Sequence, residues 1–372
     1  MKPVLGLEGL RTRLPGVLRG SRVGLVANAA SRLPGGEHAL GVLQSLDLTV
    51  VRLFGPEHGF VGTAAAGERV TDSVYGGLPV VSLYGERRAP GPEHLRDVDA
   101  LVFDVQDVGV RAYTYLSTLQ ACLRRCAEVG VPLVLLDRPN PLGRSAYGAG
   151  VAAGFGSFVG AHDVRFVHGM TLGELGTLMA RAFGAEGVLE VVRMTGYTGA
   201  PWAEPGLPWW APSPGLPTVR SAQLYPLTVF LEGTNVSEGR GTDRPFELVG
   251  APWLDGVRLA GALNERFEGL AAEPVRFTPT ASKHEGTEVA GVRLLQTGAF
   301  DPLRAARVLL TELRGQNAGA LAWTGRERPF IDLLAGSDRL RRTVCGEPEG
   351  EFAAWLAEGA GLERARVTLY PA

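Results

Sequence analysis

Short apolar runs alternate with amphipathic stretches over the first two-thirds of the chain. "RVGLVAN" (22–28), "LTVVRLFG" (48–55), "LPVVSLYG" (78–85), "ALVFDVQD" (100–107) and "VPLVLLDR" (131–138) are nearly continuous and rich in β-branched residues. Runs of this length suit strands buried on both faces, as in a parallel sheet. Between them, "EHALGVLQSL", "PEHLRDV" and "TYLSTLQACLRRCAEVG" place apolar residues at helical spacing, and the last closes on a glycine. "TLGELGTLMARAFG" (171–184) predicts a helix capped by Thr171, and "VLEVVRM" after it a further strand. Such alternation predicts a doubly wound α/β domain with a mostly parallel sheet.

The pattern breaks between 198 and 220, where the chain is dense in Pro, Gly and Trp and has no period. It is too apolar for a flexible linker and reads as an ordered crossing segment with packed Trp side chains. Beyond it, "WLDGVRLAGALNERFEG" and "DPLRAARVLLTELRG" predict amphipathic helices and "EVAGVRLLQTG" a strand. The organisation expected is a catalytic domain over 1–219 and a smaller α+β auxiliary domain over 220–372.

Composition narrows the function classes. The chain has 372 residues, 45% hydrophobic and 20% charged, with a formal net charge of -2. That balance fits a globular protein and offers no global attraction for nucleic acid or an anionic membrane. No run of about 18 apolar residues predicts membrane insertion. The first residues, "MKPVLGLEGLRTRLPG", contain no apolar core of a signal peptide. As written, the chain reads as cytoplasmic; it reads as periplasmic or secreted if a leader has been removed. Cys122, Cys126 and Cys345 are odd in number and unpatterned, so no disulfide framework is expected. Cys122 and Cys126 lie one helical turn apart and are expected in the core, since no further Cys or His accompanies them as metal ligands.

Ligands of open α/β sheets gather at the carboxyl ends of the strands. Three such ends carry polar clusters: Gly-Pro-Glu-His-Gly at 55–59, Gln106-Asp107-Val108-Gly109 followed by "RAYTY", and Asp137-Arg138-Pro139-Asn140-Pro141. Gly55 and Gly59 permit tight bends that present Glu57 and His58 together. A second Gly-Pro-Glu-His, at 91–94, reads as a helix start, with Pro92 at the first helical position and Glu93 favoured by the dipole. The first strand leads into Asn28-Ala29-Ala30-Ser31 rather than Gly-x-Gly-x-x-Gly, and no Gly-Lys-Ser/Thr P-loop occurs. Neither a nicotinamide or flavin cofactor nor nucleotide hydrolysis is therefore favoured. "LEGTNVSEGRGTDRPFE" (231–247) gathers Glu232, Asn235, Glu238, Arg240 and Asp243 among glycines, either as a solvated loop or as a polar sugar pocket.

Seven blocks, "LFGPEHGFVG", "GLPVVSLYG", "FDVQDVGVRAYTYLSTL", "LDRPNPLG", "VRFVHGMTLGEL", "LEGTNVSEGRGTDRPFE" and "FTPTASKHEG", occur in order. Together they resemble the exo-β-N-acetylmuramidase family, glycoside hydrolase family 171. The resemblance implies a Rossmann-like N-terminal domain, a smaller auxiliary domain, and a cleft between them. It also implies release of N-acetylmuramic acid from the non-reducing ends of peptidoglycan fragments, with peptidoglycan-derived saccharides as partners and neither cofactor nor metal. Glu57 matches the family's proposed catalytic glutamate. His58, Asp107, Arg111, Tyr113, Asn140, Glu238, Arg240 and Lys283 fall in matching blocks. "TEVAGVRL", after Gly286, departs from the family's Cys- and Gly-bearing pattern.

Glycoside hydrolysis commonly needs two carboxyl groups. Glu57 is expected as general acid, opposed by Glu238 or Asp107, or by the sugar's own acetamido group. Arg111, Arg138 or Arg240 would meet the lactyl carboxylate, and Trp202, Trp209 and Trp210 either stack on sugar or pack at the domain seam. The competing readings are a non-catalytic amino-sugar-binding protein of the same fold and a glycosidase for another acidic amino sugar.

Overall fold

The computed structural model describes residues 2–202, 206–359, 361–362 and 366–370. Its larger sheet has seven strands: β1 (Arg22–Ala27), β2 (Thr49–Gly55), β3 (Ser73–Tyr75), β4 (Leu78–Ser82), β5 (Ala100–Asp104), β6 (Leu133–Leu136) and β7 (Leu189–Val192). The order is β3-β4-β2-β1-β5-β6-β7. Only β3 runs antiparallel to its neighbour; the others are parallel. With β3 set aside, the order is that of a dinucleotide-binding Rossmann sheet, with β1 at the point where the winding reverses. β3 escaped the sequence pattern because all three of its residues are exposed.

Both faces of the sheet are covered, as continuous apolar strands require. Along β1, Val26 joins a core with helices Tyr115–Val129 and Leu172–Phe183, whereas Val23, Leu25 and Ala27 join one with Leu40, Val42 and Leu43 of helix Ala39–Ser45. Cys122 and Cys126 are buried in the first of these cores. Helix Tyr115–Val129 ends on Gly130 in the left-handed region, and helix Leu172–Phe183 begins with a Thr171–Glu174 capping box. The second Gly-Pro-Glu-His opens helix Pro92–Leu95, where His94 Nδ1 accepts the Gly91 amide.

The crevice above β1 and β5 is filled by the chain's own side chains. Asn28 donates to the Tyr115 hydroxyl at 2.7 Å, Tyr115 donates to the Pro212 carbonyl at 2.6 Å, and Ser31 donates to the Asp104 carbonyl. The Pro/Trp-rich segment thereby lies across the sheet's carboxyl edge; residues 203–205 of that segment fall outside the described set. Trp202 and Trp209 meet edge-to-face at 5.1 Å and donate to the Leu207 and Leu216 carbonyls, and Trp210 donates to the Leu33 carbonyl. Their indole N–H groups are thus satisfied within the crossing segment or by the N-terminal part.

The C-terminal part follows through helix Val219–Thr228 and the 3₁₀ turn Val229–Gly233. Its antiparallel sheet has the order β8-β10-β9, from β8 (Leu248–Ala251), β9 (Leu270–Phe277) and β10 (Val289–Gln296). Helices Gly256–Asn264 and Pro302–Gln316, capped by Asp255 and Asp301, contribute Leu259, Leu263, Leu309 and Leu313 to the core. The departing segment "TEVAGVRL" lies largely in β10. No described helix is long and apolar enough to cross a membrane.

Arg111 joins the two parts. Fully buried, it donates to the carbonyls of Ala149 (2.8 Å), Val164 (2.8 Å) and Ala335 (2.6 Å), the last at the end of helix Phe330–Ala335. Burial lowers its pKa to about 10, still charged at neutral pH. Replacing it orphans three buried carbonyls. Arg111→Leu is predicted to destabilise the fold by about 3–5 kcal/mol in denaturant titration; a change below about 1 kcal/mol would contradict the clamp.

Candidate active site

The site begins with a bend that few side chains tolerate. β2 ends at Gly55, where a Cβ would lie 2.7 Å from the Phe60 amide nitrogen because the chain folds back on itself. His58 (φ 71°) and Gly59 (φ 77°) are both left-handed, a strained state for histidine. Its ring offsets the strain: Nδ1 donates to the Ala64 carbonyl at 2.8 Å and fixes the returning loop. The loop then brings the Gly67 amide to Glu57 Oε1 at 2.9 Å. From the loop after β5, Thr114 donates its hydroxyl to Oε2 at 2.6 Å. The Tyr84 hydroxyl, beyond β4, also reaches Glu57; burial, reinforced by that carboxylate, pushes its pKa up to about 12. Glu57 is thus buried and held by three loops at the carboxyl edge of the sheet.

Glu57 borders a cavity of about 240 Å³ between the sheet edge and the C-terminal part. His58, Gly67, Tyr84, Tyr113 and Thr114 line one side; Tyr225, Glu232, Arg240, Phe246 and Phe330 line the other, with Ser213 and Leu216 of the crossing segment between them. Tyr113 sits edge-to-face against Tyr115 at 4.7 Å and Tyr225 at 5.9 Å, which gives the floor an aromatic lining. Helix Val219–Thr228 delivers Tyr225, and the following 3₁₀ turn delivers Glu232.

Charge alternates along the far wall. Arg240 Nη1 lies 2.6 Å from Glu232 Oε1 and 3.0 Å from Glu238 Oε1, and Lys283 Nζ lies 2.8 Å from Glu238 Oε2. Lys283 also donates to the Leu231 and Val236 carbonyls. Burial acts to raise the pKa of Glu238, but Lys283 and Arg240 hold it below the ordinary glutamate value. Glu232 goes the other way: burial raises it against the pull of Arg240, and the charge of Glu238 adds to the rise. For Arg240, burial is outweighed by the two glutamates, so its guanidinium is more firmly charged than usual.

Comparison with other proteins gives this fold a family. The N-terminal profile of the exo-β-N-acetylmuramidase NamZ matches residues 23–220, and the C-terminal profile matches 223–361. The chain belongs to the NamZ exo-β-N-acetylmuramidase family. The peptidoglycan β-N-acetylmuramidase NamZ of Bacillus subtilis (strain 168) is 42% identical over 298 residues, covering 78% of this chain and 72% of the relative. Two crystal structures of DUF1343 family proteins from Bacteroides fragilis NCTC 9343 share the fold at 28% identity. One has a TM-score of 0.90 over 99% of both chains, and the other 0.79 over 100% of this chain and 99% of its own.

Of the residues singled out in sequence, the NamZ fold brings Glu57, His58, Tyr113 and Arg240 to the cavity. Glu238 and Lys283 stand behind Arg240 rather than on the lining. Four others are placed elsewhere. Asp107 accepts the Gly109 amide at 2.7 Å and has His168 Nε2 3.2 Å away, fixing the turn after β5. Asn140 accepts the Leu142 amide and donates to the Met170 carbonyl. Arg111 is committed to its three carbonyls. Arg138 likewise pairs with buried Asp104 through Nε (2.5 Å) and Nη2 (2.7 Å). Sequence reasoning passed over Tyr84 and Tyr225, and it counted Glu232 in the polar block without giving it a role. The signal for Glu232 was present in the same polar block as Glu238, and Tyr84 closes the "GLPVVSLYG" run at a strand's carboxyl end.

Buried His58 is held below the ordinary histidine value of 6.5, chiefly by desolvation, although Glu57 and the Ala64 carbonyl pull the other way. A histidine lowered on folding binds fewer protons in the native state, so it removes stability as pH falls below about 6.5. Thermal melts are predicted to show a lower Tm at pH 5 than at pH 7.5. His58→Asn, which keeps a side chain tolerant of left-handed φ, should flatten that slope; an unaltered slope would contradict the assignment.

Proposed function

We propose that this glycoside hydrolase removes N-acetylmuramic acid from the non-reducing ends of peptidoglycan fragments, with Glu57 as general acid. Family membership and the identity to the Bacillus subtilis muramidase support the activity. The observation that carries the mechanism is that Glu57 and Glu232 are the two carboxylates on the lining of one cavity. Glycosidic cleavage needs an acid for the leaving oxygen and a carboxylate on the opposite face of the ring. The cavity's size suits a terminal sugar rather than the middle of a long chain, in keeping with exo action.

The environments divide the roles. Glu232 is raised by burial, but its direct ion pair with Arg240 opposes that rise and supports it as the base or nucleophile facing the anomeric carbon. Glu238 is a less suitable partner because Arg240 and Lys283 occupy its two oxygens. It serves instead to hold Arg240 in place. In the proposed cycle Glu57 delivers a proton to the departing oxygen, while its neighbours Gly67 and Thr114 keep the carboxyl aimed. Aromatic Tyr113, Tyr225 and Phe246 supply flat apolar surface for the sugar ring.

The test is kinetic. Glu57→Gln is predicted to lower kcat on a MurNAc–GlcNAc disaccharide by about 10²–10⁴-fold, with a much smaller loss on a nitrophenyl glycoside whose leaving group needs no proton. Glu232→Gln should impair both substrates alike. It should also abolish the acidic limb of the pH profile, which for the wild type lies above the ordinary glutamate range because Glu232 is raised. Equal losses for both substrates in Glu57→Gln would remove it as the acid, and full release of MurNAc by either variant would overturn the pair.

A further inference from the structure

The arginines considered from sequence for the sugar's carboxylate are already engaged: Arg111 by three carbonyls, Arg138 by Asp104, and Arg240 by Glu232 and Glu238. Another cation packs on a ring of the cavity lining. Arg88 places its guanidinium carbon 4.0 Å from the centroid of Tyr84 and 4.3 Å from that of Phe158, and the two rings lie 5.9 Å apart. Tyr84 is part of the cavity lining, as is Val159, next in sequence to Phe158. Arg88 is exposed, and the neighbouring acids Glu86 and Asp72 are engaged by Arg69 and Arg87. Among the described residues, no acid is paired with it.

Two rings tilted 53° to each other brace the guanidinium, and the N–H groups not engaged by the Tyr84 hydroxyl are left for an anion. Stacking preorganises the fork without neutralising it, which is what bidentate recognition of a carboxylate requires. We propose that Arg88 is the specificity-determining residue that reads the carboxylate of an acidic amino sugar bound in the cavity. The inference rests on the saccharide reading of that cavity. It assigns Arg88 to substrate binding rather than to bond cleavage, because Arg88 reaches Glu57 through Tyr84.

The experiment compares a chromogenic β-glycoside of N-acetylmuramic acid with its methyl ester, in the wild type and in Arg88→Met and Arg88→Lys. For the free acid, Arg88→Met should raise KM by about 10- to 100-fold and leave kcat nearly unchanged. Arg88→Lys should restore part of the affinity through its charge. The methyl ester should bind the wild type and Arg88→Met alike. Equal losses for acid and ester, or no loss for the acid, would overturn the proposal. If the wild type hydrolyses neither glycoside, the functional reading fails separately. Calorimetric titration of free N-acetylmuramic acid and its methyl ester then decides. A preference for the acid that disappears in Arg88→Met supports Arg88; equal binding, or no binding of either, contradicts it.

Discussion

The carboxyl group of Glu57, gripped by the Gly67 amide on one oxygen and the Thr114 hydroxyl on the other, is the contact on which the site depends. It fastens the loop after β2 to the loop after β5, across the position of β1. The bend at Gly55, the left-handed pair His58–Gly59 and the return of the chain to Gly67 all converge on that carboxyl. A donor on each oxygen fixes both the position and the plane of the group. Site geometry of this kind is held most firmly when partner residues lie on different elements of a rigid scaffold, and here the parallel sheet provides it.

The opposite wall is built on a different principle. Glu232, Arg240, Glu238 and Lys283 form an alternating row in which each inner charge touches two of opposite sign. A half-buried row of this type keeps its charges because every member has a partner; removing one leaves the next uncompensated. Its two glutamates diverge: the one flanked by two cations is pulled below the ordinary range, and the one at the end of the row, facing the cavity, rises above it. The row thus positions a carboxylate at the cavity whose protonation is more easily altered than that of its interior neighbour. Arg88 lies outside this row, braced by rings instead of acids, and is therefore the cation left available to an incoming anion.

Much of the fold was legible because burial on both faces leaves an unmistakable apolar signature. β1, β5 and β6 are buried nearly end to end. The exposed strand β3 has no such signature, and its pairing depends on tertiary proximity to β4. At the site, Glu57 was legible from its glycine-bracketed turn. Asp107, Arg111 and Asn140 share the same sequence setting of polar residues after a strand, yet each turns into the protein to satisfy backbone groups. Linear sequence does not say which way such a side chain points. Glu232 and Glu238 illustrate the same limit: six positions apart in one block, one lines the cavity and the other is sealed behind an arginine. The Trp residues of the crossing segment likewise donate to carbonyls of that segment and of Leu33.

The most direct measurement is a crystal structure of Glu57→Gln bound to a MurNAc–GlcNAc disaccharide. The account requires the anomeric carbon of the terminal sugar to lie between position 57 and Glu232, with the glycosidic oxygen within hydrogen-bonding reach of position 57. The separation of the two side chains would then distinguish a retaining geometry, about 5–5.5 Å, from an inverting one, about 6.5–9.5 Å. A disaccharide seated with its scissile oxygen beyond reach of position 57, or with Glu232 on the same face of the ring, would contradict it.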